Sequence, residues 1–240
     1  MNQTMNGSSG SSSEHEAGII RLIRLPDLVT ILNILFGFTA ILFVLNGYVY
    51  DAIILILAAA LADGVDGAVA RRFESGVFGE HLDSFADIIS FGVAPAVIYY
   101  AIVSDYNHAL VCAVSAAYLI CGTLRLVRFG IIDLPVFRGL PITAAGTFAV
   151  LLLYTVDSQY LPIAATCVFV MLSVLMISSI QYPKVRSMGV LILLAAVFIF
   201  TIAAHYSGFC RSCNWFAWVL FVLVGIYMIC PFMWCSRLFE

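Results

Sequence analysis

Apolar residues fall along this chain in long blocks separated by short polar joints. Eight blocks stand out, at roughly residues 28–46, 51–73, 79–103, 108–129, 140–156, 160–180, 187–205 and 214–234. Each lies near the ~20 residues a helix needs to cross ~30 Å of hydrocarbon. The pattern predicts an all-α polytopic membrane bundle of about eight transmembrane helices. Ahead of them, residues 18–25 (GIIRLIRL) set Arg21 and Arg24 among Ile and Leu, which predicts a short amphipathic helix lying in the interface. Pro26 breaks that pattern before the first span. Residues 1–17 are rich in Ser, Gly and Asn without apolar periodicity and are expected to be a disordered tail. Residues 18–240 are then expected to form one integral membrane domain. No short apolar segment near the start ends in a small-residue cleavage site, so the first block is expected to stay in place as a transmembrane helix.

Composition removes the soluble alternative. The chain is 63% hydrophobic and 10% charged, with a mean hydropathy of +1.06. Soluble domains are nearer half apolar and a quarter charged. Nothing in the sequence calls for a nucleic-acid partner. The positions of the basic residues say more than the net charge of -3. With the N-terminus in the cytoplasm and eight alternating helices, Arg21, Arg24, Arg71, Arg72, Arg125, Arg128, Arg138, Lys184, Arg186 and Arg237 all lie inside. Only Arg211 lies outside, so 10 of 11 basic residues obey the positive-inside rule. Both termini are therefore expected in the cytoplasm. The seven cysteines sit mostly in apolar runs, where inert buried thiols are expected. Cys210 and Cys213 form a lone C-x2-C pair, too few ligands for a structural zinc site. A local disulfide stays open for that pair.

Acids inside a membrane are expensive and mark function. Four aspartates occupy two adjacent blocks, LADGVDGAVARRF and GEHLDSFADIISFG. In a helix, Asp63, Asp66, Gly67 and Ala70 stand at i, i+3, i+4 and i+7 and share a face. Gly79, Asp83 and Asp87, at i, i+4 and i+8, share another. Asp63 precedes Arg72 by roughly 13 Å of helix rise, and Asp87 follows Gly79 by roughly 12 Å. The helices run in opposite directions, joined by a turn at residues 73–78, so the four acids are expected to converge at one level. Four carboxylates in a small site need protons or cations. All-oxygen ligands favour Mg2+ or Mn2+. The acids alone leave a metal-dependent enzyme and a cation-coupled transporter equally open.

The fuller string is Asp63-x2-Asp66-Gly67-x2-Ala70-Arg71-x7-Gly79-x3-Asp83-x3-Asp87. It resembles the signature of the CDP-alcohol phosphotransferases, D-x2-D-G-x2-A-R-x8-G-x3-D-x3-D, with a connector one residue shorter. The resemblance implies transfer of a substituted phosphate from a CDP-linked donor to an alcohol, release of CMP, two divalent cations and a homodimer. It implies that Asp63, Asp66, Asp83 and Asp87 hold metal and that Asp87 is also the catalytic base. Gly67, Ala70 and Gly79 would leave room for the nucleotide, and Arg71 would lie near the phosphates. A membrane-edge anchor is the other reading of Arg71. Thr30 and Asn33, one turn apart on the first helix, are candidates for nucleotide contact or for polar helix packing.

Three further strings resemble the phosphatidylserine synthase branch. They are Asp83–Ala96 (DSFADIISFGVAPA), the pair Leu124–Phe129 (LRLVRF) and Phe137–Pro141 (FRGLP), and Ser178–Lys184 (SSIQYPK). Gly130 and Thr143 depart from that branch's usual Asn and Pro. The resemblance implies L-serine as acceptor and CDP-diacylglycerol or, in an archaeal member, CDP-archaeol as donor. Arg125, Arg128 and Arg138 are candidates for the serine carboxylate, since guanidinium suits that geometry. Positive-inside anchoring is their other reading. Ser90 is a candidate for the acceptor site or for structure, and Pro95 is expected to disturb the third helix. Glycerol 3-phosphate or an inositol phosphate is the alternative acceptor, and a cation-coupled transporter the alternative class. Without internal repeats the transporter gains no support.

Overall fold

An apolar run that meets no water must satisfy every backbone group within itself, which leaves the helix as its form. The computed structural model describes residues 24–70, 77–131, 137–157, 159–182, 188–208 and 214–235. In order these form α1 (Leu25–Leu45), α2 (Val49–Ala70), α3 (Val77–Asp87), a π-helical segment (Ile88–Val93), α4 (Ala94–Val103), α5 (His108–Ile131), β1 (Phe137–Arg138), α6 (Ile142–Thr155), α7 (Leu161–Ile177), β2 (Gln181–Tyr182), α8 (Met188–Tyr206) and α9 (Trp215–Cys235). The α3, π and α4 segments run on as one rod, so the described helices make eight rods matching the eight apolar blocks. Asp27–Leu45, Phe78–Val103, His108–Gly130 and Gly189–Tyr206 are long and apolar enough to cross a membrane. The protein is an all-α, polytopic membrane protein.

The helix ends differ from the sequence reading by up to three residues, and two of these differences bear on the site. Helix α1 begins at Leu25, with Pro26 inside its first turn rather than before the helix. Proline is tolerated there because its missing N–H has no partner in the first turn anyway. Asp27 closes that end, its Oδ2 accepting the Arg24 N–H at 2.7 Å. Helix α3 already includes Val77 and Phe78, which the sequence reading gave to the turn. The tail and residues 18–23 of the expected interfacial helix, with Arg71, Arg72, Cys210 and Cys213, lie outside the described residues; Arg24 and Leu25, the end of that segment, instead open α1.

Helix α6 occupies the centre. It is buried at Ile142 and, apart from Phe148, from Ala145 to Thr155, and it packs on α2, the π segment, α4, α5, α7 and α9. Gly146 permits the closest approach, since a Cβ there would stand 2.9 Å from the Phe91 carbonyl oxygen. At the end far from the aspartates, polar groups tie the last helices to this core. His205 Nε2 lies 3.3 Å from Asp51 Oδ1, and its Nδ1 lies 3.1 Å from the Tyr154 hydroxyl. Asn214 donates to the Thr201 carbonyl at 3.2 Å and accepts the Ala217 N–H at 3.3 Å, capping α9.

The π segment has a readable cause. Pro95 carries no N–H, so the carbonyl of Phe91 four residues earlier loses its helical donor. The Ala94 N–H bonds Ile89 O, the wider five-residue spacing. The Tyr118 hydroxyl of α5 donates to the Phe91 carbonyl at 2.9 Å. Tyr118 is fully buried. Removing a partner from a buried carbonyl costs about 1–3 kcal/mol. Tyr118→Phe is therefore expected to lower stability by about that amount in a detergent thermal melt. It should also slow turnover, because the π segment begins one residue after Asp87.

The two-residue strands were not expected from the apolar pattern. Phe137 pairs with Tyr182 and Arg138 with Gln181, antiparallel. The Gly139 N–H extends the bridge to Ile180 O at 2.8 Å. FRGLP and the described part of the second string, residues 178–182, thus meet as one structural unit on the aspartate side of the bundle.

Candidate active site

Helix α2 brings Asp63 and α3 brings Asp83 and Asp87 to a common point. Ligand oxygens of these three carboxylates all lie within 4.8 Å of one another. Asp63 and Asp83 are half-buried, and Asp87 is buried. Two carboxylates at 4.8 Å repel by roughly 3–4 kcal/mol at an effective dielectric near 20. The Asp87 Oδ1 atom is buried with no hydrogen-bond partner. Such an arrangement is stable only with a cation or with protons. The convergence expected from the helical spacing is present for these three acids. The side chains of Asp66, Gly67 and Ala70, and Arg71 as a whole, lie outside the described residues.

Helix α1 packs along α2 and α3. Thr30 and Asn33 are buried on its inner face, at 3% and 1% exposure. Both amide atoms of Asn33 lack hydrogen-bond partners. Gly79 lies against Asp27, whose Oδ1 would stand 2.5 Å from a Cβ at that position. Asp27 escaped the sequence reading, although an acid in the first turn beside Arg24 and Pro26 is a capping signal.

The three arginines have separate surroundings. Arg125 is buried at 5% exposure, with its guanidinium 5.5 Å from the centre of the Phe129 ring. It lies within electrostatic reach of Asp87. Arg128 donates to three backbone carbonyls: Ile177 at 3.2 Å, Arg138 at 2.7 Å and Ser178 at 3.0 Å. It therefore closes the C-terminus of α7 onto β1. Arg138 is exposed. Ser90 is fully buried in the seam with α1, donating to the Asn33 carbonyl at 2.9 Å. Gly37 makes room for it, since a Cβ there would collide with Ser90.

A family model described as CDP-alcohol phosphatidyltransferase matches residues 23–202. The chain belongs to the CDP-alcohol phosphatidyltransferase family. An archaetidylserine synthase of Methanothermobacter thermautotrophicus is 40% identical over 181 residues, 71% of this chain and 74% of that protein. A CDP-diacylglycerol–serine O-phosphatidyltransferase of Methanocaldococcus jannaschii is 34% identical over 216 residues, 90% of this chain and 97% of that protein. The enzyme of the same name from Bacillus subtilis is 38% identical over 168 residues, 68% and 91% of the two chains.

CDP-alcohol phosphatidyltransferases generally depend on divalent cations, and the residues of this member fit one. The donors are hard carboxylate oxygens, the kind Mg2+, Mn2+ and Ca2+ prefer. The orphaned Asp87 oxygen points the same way, because a buried acceptor without a donor is otherwise a cost.

Proposed function

We propose that this chain moves the phosphatidyl or archaetidyl group of a CDP-linked lipid onto the hydroxyl of L-serine and releases CMP. The convergence of Asp63, Asp83 and Asp87 beside buried Arg125 carries the reading. The serine-specific names of the relatives support the acceptor.

Asp63, Asp66, Asp83 and Asp87 would hold two divalent cations, Mg2+ or Mn2+. When bound, these ions supply positive charge to the pyrophosphate and to the departing CMP. Asp87 takes the proton from the serine hydroxyl. That oxygen forms a bond to the lipid-side phosphorus, and the bond from this phosphorus to the oxygen bridging to CMP breaks. Gly67 and Ala70 leave space for the nucleotide, Gly79 makes room for Asp27 at the foot of α1, and Arg71 holds a phosphate. Thr30 and Asn33 present polar groups to the nucleotide from α1. Asn33, buried and unpartnered at both amide atoms, would be satisfied by it. Arg125 binds the serine carboxylate. Arg128 shapes the acceptor side through the three carbonyls it holds, with Arg138 exposed beside it. Ser90 sets α1 against the π segment.

The site and both termini face the cytoplasm in this reading, as the basic residues indicate, and the enzyme works as a homodimer. The lipid tails of the donor stay in the bilayer while its CDP head reaches the acids.

The test is CMP release by purified protein with CDP-diacylglycerol or CDP-archaeol, with and without L-serine. Serine-dependent release supports the reading. Release only with glycerol 3-phosphate or an inositol phosphate would keep the family and discard serine. Treatment with EDTA should abolish release, and either Mg2+ or Mn2+ should restore it. Full activity in EDTA would remove the cations from the reading.

A further inference from the structure

Beyond Arg125 the site continues into parts of the chain that the family match does not reach. That match ends at residue 202, before α9 begins at Trp215. Tyr227 of α9 nevertheless lies within electrostatic reach of the Arg125 guanidinium. Its ring packs 5.8 Å, centre to centre, from the ring of Tyr182 on β2. Tyr182 is fully buried, and its hydroxyl has no hydrogen-bond partner. Four elements thus bring a carboxylate (Asp87), a guanidinium (Arg125) and two phenols (Tyr227 and Tyr182) into succession.

An orphaned phenol in a fold is unfavourable, and phenylalanine would fill the same space without that penalty. The two-strand bridge holds Tyr182 where it stands, through its pairing with Phe137. Among the described residues no group uses this oxygen, so it stands as an open acceptor beside Tyr227.

We propose that Tyr182, backed by Tyr227 of α9, is a specificity-determining residue of the acceptor pocket, its hydroxyl accepting a hydrogen bond from the α-ammonium of an amino-acid acceptor. The proposal rests on the serine-transferase reading. Asp87 meets the acceptor hydroxyl, Arg125 the carboxylate and Tyr182 the ammonium, so each of serine's three polar groups has its own partner. A site that hydrogen-bonds a substrate group rejects analogues that lack it, because its own polar atom is then left unpaired. Helix α9 acquires a role here, as the wall that holds Tyr227 against Tyr182 and Arg125.

The experiment compares wild type with Tyr182→Phe and Tyr227→Phe on two readouts. The first is the KM for L-serine beside the KM for the CDP-lipid, in CMP release. The second is the rise in melting temperature that L-serine produces in detergent, which needs no turnover. Tyr182→Phe should raise the serine KM about tenfold and leave the CDP-lipid KM within twofold. It should also shrink the serine-induced thermal shift while leaving the serine-free melting temperature equal or higher. Tyr227→Phe should raise the serine KM by a smaller factor. An unchanged serine KM and thermal shift in Tyr182→Phe would overturn the proposal, as would a lower serine-free melting temperature with unchanged KM, which marks a purely structural hydroxyl. A wild type that releases CMP without regard to serine would instead sink the serine reading itself, and this proposal with it.

Discussion

Asp87→Asn is expected to release CMP at least about 1,000-fold more slowly than wild type. Positioned general bases contribute about 100- to 10,000-fold. The amide keeps the shape of the carboxylate but can neither take the acceptor proton nor supply a charged metal ligand. Asp87 stands where both losses matter, buried with an unpartnered oxygen and within 4.8 Å of carboxylates from both helices. Steady-state release with saturating L-serine and CDP-lipid would measure it. Activity within tenfold of wild type would remove Asp87 from the role of base and leave Asp63 or Asp83 to be tried. The same substitution should not damage the fold, because it relieves like-charge repulsion among the three acids.

Gly139→Ala is expected to be the most damaging change outside the acids. Gly139 has a φ of +80°, a region that costs other residues about 1–3 kcal/mol. A Cβ there would also collide with the Met176 carbonyl oxygen and lie 2.7 Å from Arg128 Nη2. The carbonyl is backbone, at the end of α7, and cannot swing aside, so residue 139 must shift and strain the bridge that it extends. A loss of at least about 3 kcal/mol follows from strain and clash together. The detergent melting temperature should fall and serine-dependent release should nearly vanish. Arg128→Ala should do less, because it removes donors without forcing the bridge apart. Equal stability of Gly139→Ala and wild type would mean that the bridge is dispensable.

The helices were legible because lipid leaves little choice: eight apolar runs between polar joints became eight rods, most within two or three residues of the predicted ends. The three described acids were legible for a related reason. Helical spacing fixes faces, and a short connector fixes depth. What the pattern missed depends on partners distant in sequence. No local period reveals that Tyr118 would rescue the Phe91 carbonyl 27 residues away. Residues 137 and 182 pair only because α6 and α7 carry the chain up and back between them. Arg125 and Arg128 look alike in LRLVRF, yet one is buried beside Asp87 and the other holds three carbonyls. The two lie on one face of the helix but a turn apart in depth, so Arg128, nearer the end, meets the C-terminus of α7 and β1 while Arg125 stays among the packed helices. Ser90 was open between the acceptor site and a structural role, and only the fold shows its hydroxyl bonded to the backbone of α1.

The 14 residues of α6 span roughly 21 Å, well short of a hydrocarbon slab about 30 Å thick. Its aspartate-side end starts at Ile142, directly after the bridge and Gly139. Irregular backbone at membrane depth is tolerated only inside protein or along water. The central helix of the bundle is therefore shorter than a membrane span, and the irregular backbone at its aspartate-side end lies against protein, with Gly139 and Leu140 buried. In the proposed reaction a water-soluble acceptor would then have less than a full membrane span to cross before meeting the phosphate, and the lipid tails would stay in the bilayer.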